Sequence, residues 1–269
     1  MKCVKSVFIH SNETKVTKKV LAQLKEKLKA AGIVMHSSIT KDTDMVICVG
    51  GDGTFLRLLR FQDFPEVPIV GINTGHLGFF QEFRQDELDL FIDCIKDGKY
   101  SIQSHRPLRV RVWQKNLPVI SWYGINDVVV RKNASSIVHL KINIDNSFVE
   151  KFSGDGILIS SPAGSTAYNY SVGGSIVDPR VEVIQVAPIA PMNTASYRSF
   201  TSSVLLPPDN TVSIFPEHSF MDKMLVIVDG AEYQINNMEK IFVDLSEKRI
   251  NVVRHVKYDF WTNVKDKFF

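Results

Sequence analysis

The chain is poor in the features that mark several protein classes. It has only three cysteines, Cys3, Cys48 and Cys94, an odd number at no metal-ligand spacing. A disulfide scaffold and a cysteine-bound zinc site are thereby set aside, and a reducing compartment is expected. No apolar run is long enough to span a bilayer, and the opening "MKCVKSVFIHSNETK" carries no apolar core of a signal peptide. A cytoplasmic protein without membrane association is the expectation. Like charges nowhere gather into a block and the formal net charge is only +3. That argues against a nucleic-acid or membrane-surface partner but leaves room for a local phosphate pocket.

What is present falls into two rhythms. Up to about residue 100, short apolar runs alternate with helical patterns. "VKSVFIH", "DMVICVG" and "VPIVGIN" read as strands. Between and after them, "ETKVTKKVLAQLKEKLKAAG", "TFLRLLRF" and "RQDELDLFIDCIKDGK" read as helices. Val16, Val20, Leu21, Leu24 and Leu28 share one face of the first helix, and Leu88, Phe91, Ile92 and Ile95 one face of the third. Strand–helix alternation implies a parallel sheet covered by helices, a Rossmann-like α/β domain.

Beyond Ser101 the period becomes two. "LRVRVW" alternates, as does "IVHLKINIDNSFVEKF", with a turn at Asp145-Asn146. "MLVIVDGAEYQI" reads as a hairpin about Asp229-Gly230, and "KIFVDLSEKRINVVRH" as another turning near Glu247. A mostly antiparallel domain of two packed sheets, a β-sandwich, is expected. The last stretch, "FWTNVKDKFF", has helical spacing and reads as a packing tail.

The sharpest local signal is "VICVGGDGTF", where a buried strand ends in Gly-Gly-Asp-Gly-Thr. Asp52 could merely form a hairpin turn with Gly53, or cap the next helix together with Thr54. A functional reading is also open. Just past the carboxyl end of a parallel strand is where open α/β sheets bind ligands. Flanking glycines admit a ligand to the backbone, and the N–H groups of a helix start attract phosphate. A carboxylate there repels phosphate unless it has a task, such as taking a proton from an attacking hydroxyl or holding Mg²⁺. Phosphoryl transfer to an alcohol follows.

Three kinase groups share such a turn. Diacylglycerol-type lipid kinases follow it with an Asn-Glu segment, whereas "FLRLLR" follows here, and the Thr-Ile-Asp segment of phosphofructokinases is missing. The resemblance to NAD kinases continues: "GGDGTFL" at Gly50–Leu56, "NTGHLGFF" at Asn73–Phe80, "NDVVV" from Asn126, and "GDGILISSPAGSTAYNYSVGG" at Gly154–Gly174 stand in that family's order. The chain resembles a compact bacterial NAD kinase nearly end to end. The resemblance implies an α/β domain of residues 1–100 plus the returning tail 255–269, and a β-rich NAD-binding domain of residues 101–254. It implies an active site in the crevice between them and transfer of the ATP γ-phosphoryl to the adenosine-ribose 2′-hydroxyl of NAD, giving NADP. A lipid or other small-alcohol kinase and a non-catalytic NAD(P)-binding regulator stand as alternatives. A sensor would gain nothing from a lone carboxylate beside a phosphate site.

Residue by residue, Asp52 is the expected general base. Gly51 and Gly53 would leave room for ribose and phosphates, and Leu56 and Phe79 would line the adenosine pocket. His76 would contact ligand or hold its loop. Asn126 and Asp127 match the family's Asn-Glu and would bind ribose hydroxyls and adenine, Asp127 being one methylene shorter. Asp155 matches a second family acid. Ser165, Thr166, Ala167 and Tyr168 would wrap the adenine, the ring of Tyr168 offering a stacking face. Ala163 and Ser153 depart from the family by lacking a hydroxyl and a basic group. Ala190 falls where a neighbouring subunit lines the pocket, so a homo-oligomer, dimer or tetramer, is implied. Mg²⁺ is expected to arrive on ATP, so no protein metal ligand is named. Polyphosphate is an alternative donor. A dinucleotide fingerprint on Gly71, Gly75 and Gly78 does not fit, since it lacks the acidic partner after the next strand. A Walker A loop is absent.

Overall fold

A computed structural model describes residues 2–75, 78–132, 136–217 and 223–269. Two compact units are formed, Met1–His105 with Arg249–Phe269, and Arg106–Lys248. The first holds a seven-stranded sheet ordered Val34–His36, Ser6–Ser11, Met45–Gly50, Ile69–Asn73, Ile250–His255, Tyr100–His105, with Phe83–Arg84 added beside Ile69–Asn73. Every pairing is parallel except the one between Ile250–His255 and Tyr100–His105. Met45, Ile47 and Val49 enter a core with Val20, Leu24 and Leu28 of the helix Lys15–Ala30 and Phe91, Ile92 and Ile95 of Leu88–Asp97. Val46 and Cys48, on the opposite face, are equally buried, so this strand is covered on both sides and reads as a continuous apolar run. Burial pushes the Cys48 thiol up to about 12, which leaves it an inert core residue.

Two expectations need correction. Val16 is 48% exposed, and Thr17 takes the buried position instead, its hydroxyl meeting those of Thr14 and Thr74. Nor is "KIFVDLSEKRINVVRH" a hairpin. Met238–Leu245 pairs within the second unit, whereas Ile250–His255 joins the first sheet. Its alternation of apolar and polar residues is real, but both flanking strands of the first sheet lie far back in the sequence, where no local pattern reveals them.

The second unit is antiparallel throughout. One six-stranded sheet contains Leu108–Gln114, Val138–Ile144 and Met238–Leu245; the other contains Asp127–Lys132, Gly156–Ser160 and Met224–Val228. Their inner faces share a core in which Leu108, Val110, Leu140, Ile214 and Val243 meet Val128, Val130, Ile157, Ile159 and Val226. The expected hairpins at Asp145-Asn146 and Asp229-Gly230 are both present, the latter with two successive left-handed residues, φ 47° and 76°.

Candidate active site

In the first unit the strand Met45–Gly50 ends and the helix Asp52–Phe61 begins at once, with Gly51 as its N-cap. Asp52 therefore sits in the first turn, where the helix dipole favours a negative charge. Its carboxylate accepts from the Phe79 N–H at 2.9 Å (Oδ2) and from the Phe80 N–H at 3.1 Å (Oδ1). A carboxylate has about four lone-pair sites, so these two bonds orient it and leave acceptor capacity. A Cβ on Gly51 or Gly53 would meet nothing within 4 Å among the described residues, so the protein's own packing does not demand glycine at either position. Gly78 is different: a Cβ there would fall 2.1 Å from Asp52 Oδ1. The Thr54 hydroxyl, beside the turn, accepts from Asn12 Nδ2 at 3.1 Å.

Leu56 is half-buried. Phe79 packs beside the helix at residues 260–268. Its ring is 8% exposed, with Phe260 and Phe268 of the helix Phe260–Phe268 at centroid separations of 6.1 and 6.0 Å. The Lys267 ammonium stands 4.6 Å from the same ring's centroid and 3.9 Å from Asp52 Oδ2. His76 lies outside the described residues.

In the second unit the strand Asp127–Lys132 opens beside the turn Ala163–Thr166. The Asp229 carboxylate gathers the N–H groups of Ile125 (2.7 Å), Asn126 (2.8 Å) and Asp127 (3.2 Å), fixing this backbone. The Asn126 carbonyl accepts from the Ser161 N–H at 2.9 Å, and a Cβ on Gly164 would come within 2.0 Å of that carbonyl oxygen. Glycine is thus required for the turn to lie against Asn126. The Asn126 side-chain oxygen is buried with no hydrogen-bond partner among the described residues. Asp127 is 6% exposed; burial, and then the nearby Asp229 charge, raise its carboxyl to about 7.

The four residues expected to wrap an adenine have different placements. Ser165 is wholly buried and turned inward, its hydroxyl accepting from the Val177 N–H and donating to the Val177 carbonyl. The Ala167 N–H is already given to the Gly164 carbonyl, and the Ala167 carbonyl accepts from Tyr170. Thr166 is nearly buried, whereas Tyr168 is 43% exposed and presents its ring. Val172, just beyond, packs on Val129, Leu158 and Ala187, which seats the segment on the outer face of its sheet. Asp155 is exposed between two glycines whose Cβ positions are filled by the carbonyls of Ala190 and Val130, at 2.7 and 2.8 Å. Ala190 itself adopts a left-handed φ of 45°. Ser153 is buried, its N–H donating to the Ser199 hydroxyl, and Ala163 opens the turn. Sequence reasoning passed over Asp229, seen only as half of a turn, and Arg254 and Lys267, which carry no motif.

A helix-covered, largely parallel sheet with an oriented carboxylate on a glycine turn at a strand's carboxyl end, in a chain that also forms a β-sandwich, fits one class, the phosphotransferases acting on an alcohol. The signature of the ATP-NAD kinase N-terminal domain matches residues 3–100, and that of the ATP-NAD kinase C-terminal domain matches residues 125–255. The chain belongs to the NAD kinase family. It is 35% identical to the NAD kinase of Finegoldia magna over 98% of both chains. It is 32% identical to that of Streptococcus gordonii over 98% of this chain and 95% of the relative. In fold it is similar to yeast NADH kinase complexed with NADH (TM-score 0.87, 22% identity, 99% of this chain and 88% of the other). It is also similar to an NAD kinase from Archaeoglobus fulgidus in complex with ATP (TM-score 0.75, 20% identity, 97% and 98%).

Proposed function

We propose that the chain is an ATP-dependent NAD kinase in which Asp52 is the general base. The observation that carries the reading is the Asp52 carboxylate, held by two backbone donors at the end of a buried parallel strand with Gly51 and Gly53 on either side. The ribose 2′-hydroxyl of NAD is a weak nucleophile at neutral pH, and a positioned base gains about 10²–10⁴-fold. As the 2′-oxygen bonds to the γ-phosphorus, its proton passes to Asp52 and the bond to the β-phosphate oxygen breaks, giving NADP and ADP. Membership of the family over the whole chain supports this over a lipid kinase or a silent sensor. No helix is long and apolar enough to cross a membrane, as far as the described residues go.

The finer assignments belong to the same reading. Asn126, Asp127, Thr166 and Tyr168 would bind the nucleotide, with Tyr168 stacking, and Ser165 and Asp229 would hold their backbone. Asp155 and Ala190, brought to one strand end, would serve the substrate through a homo-oligomer. The glycine turn offers a single carboxylate, a donor that would suit Mg²⁺ carried on ATP oxygens, where the ion would offset phosphate charge. A cytoplasmic location is part of the same reading.

The test is NADP formation from NAD and Mg-ATP, read through an NADP-specific dehydrogenase, beside Asp52→Asn. The expected result is NADP from the wild type and about 10²–10⁴-fold less turnover from the variant, with NAD binding kept. Absence of NADP from the wild type overturns the reaction; full turnover by the variant overturns the base.

A further inference from the structure

We propose that Arg254 is a positioning residue for the reaction, acting on Asp52 through the single peptide that joins Phe79 to Phe80; the proposal rests on the reading of Asp52 as the base. Arg254 is 3% exposed in the strand Ile250–His255. Its guanidinium donates from Nη2 to the Phe79 carbonyl (2.8 Å), from Nε to Gln103 Oε1 (2.8 Å) and from Nη1 to Glu82 Oε2 (3.2 Å). The plane of the guanidinium is met by the Tyr258 ring, 4.1 Å from Cζ to centroid. The His255 N–H donates to the other Glu82 oxygen at 3.0 Å, so Glu82 is fixed as firmly as its partner.

The Phe79 carbonyl and the Phe80 N–H belong to one planar peptide. That N–H is a donor to Asp52 Oδ1. A charged donor on the carbonyl polarises the peptide and strengthens the N–H as a donor, the cooperative effect expected of hydrogen-bond chains in a low-dielectric interior. The chain therefore runs from Arg254 to the peptide to Asp52. Phe79 N–H, the other donor to Asp52, lies in the preceding peptide, whose carbonyl is that of Gly78. It provides an internal control. The Glu82 carboxylate beside Arg254 opposes the through-space field of the guanidinium, whereas the hydrogen bond to the Phe79 carbonyl acts along the peptide. Lys267, from the last helix, faces the same carboxylate at 3.9 Å and is independent of this route.

The test uses labelled protein without substrate. In the wild type, the through-hydrogen-bond coupling from the Phe80 nitrogen to the Asp52 carboxyl carbon is expected to exceed that from Phe79, although the Phe79 contact is the shorter. An equal or smaller coupling overturns the proposal. In Arg254→Met the Phe80 amide proton should move upfield while that of Phe79 stays; movement of both alike makes Arg254 merely structural. If Arg254→Met does not fold, Glu82→Gln is added so that no lone carboxylate stays buried. In kinetics, kcat should fall about tenfold to a hundredfold with KM for NAD held, and Arg254→Lys should restore part of it. A loss in KM alone overturns the proposal. Should the wild type make no NADP, the coupling still decides the relay, and the reading of function is what fails.

Discussion

Gly78 and Asp52 are in contact at a distance that admits no side chain: a Cβ on Gly78 would lie 2.1 Å from Asp52 Oδ1 and 2.5 Å from its carboxyl carbon. The glycine is thus what lets the carboxylate reach the Phe79 and Phe80 N–H groups. Gly78→Ala should displace Asp52 and lower kcat by about 10²-fold, the scale of a misplacement of roughly 1 Å. The fold should survive, since the strand Met45–Gly50 is not touched. Steady-state NADP formation beside a thermal melt checks both halves.

Ser165→Ala removes the acceptor of the buried Val177 N–H and the donor to the Val177 carbonyl. Leaving those groups unsatisfied should cost about 1–3 kcal/mol. Because the same turn carries Thr166 and Tyr168, affinity for NAD should fall as well. Denaturant unfolding and NAD titration measure the two effects, and a loss of affinity without a loss of stability would contradict the tethering role.

Asp127 makes stability depend on pH in a definite direction. Its folded value, about 7, lies above the ordinary 3.8, chiefly through burial and then through Asp229. Between those values the folded state holds more protons than the unfolded state, so this contribution is whole below about pH 4 and is lost as pH rises toward 7. Burial shifts Glu82 and Glu150 the same way, whereas it lowers buried His105 to about 3, which acts in the opposite sense. The difference between wild type and Asp127→Asn isolates the one group. The variant's stability relative to wild type should rise by about a few kcal/mol from pH 4 to pH 7.

The last helix should be separable from its cation. Val264 is its one fully inward residue, 4% exposed, so Val264→Asp buries a charge and should release the helix from Phe79. Limited proteolysis would then cut after Lys265 or Lys267 at a rate well above wild type. Lys267→Gln removes a partly exposed ion pair at 3.9 Å and the ammonium's contact with the Phe79 ring, and should change stability by no more than about 1–2 kcal/mol. Equal proteolytic sensitivity of the two variants would contradict this division.

Local patterns made much of this legible. The apolar run Val46–Val49 and the glycine turn fixed the place of Asp52, and period-two alternation at Val138–Ile144 gave the sandwich and its Asp145-Asn146 turn. What escaped depended on contacts distant in sequence. Arg254 reaches the Phe79 carbonyl across 175 positions, and Phe79 is covered by rings that the chain supplies at its end. Thr166 and Ala167 were expected to offer hydrogen bonds to the adenine, with Ser165 beside them. A hydroxyl in a motif does not declare which way it turns, and that of Ser165 is bonded to the Val177 backbone. Thr17 replaced Val16 because three threonine hydroxyls satisfy one another there, a pairing no hydrophobic period contains.

The strand Ile250–His255, seated between Ile69–Asn73 and Tyr100–His105, sets an order of biogenesis. A ribosome emits the glycine turn about 200 residues before this strand, so the gap beside Ile69–Asn73 can be filled only after all the intervening chain has been made. At elongation rates of about 5–20 residues per second, the first unit waits roughly ten seconds or more as an open sheet. A nascent chain that stops short of this strand therefore carries Asp52 without Arg254.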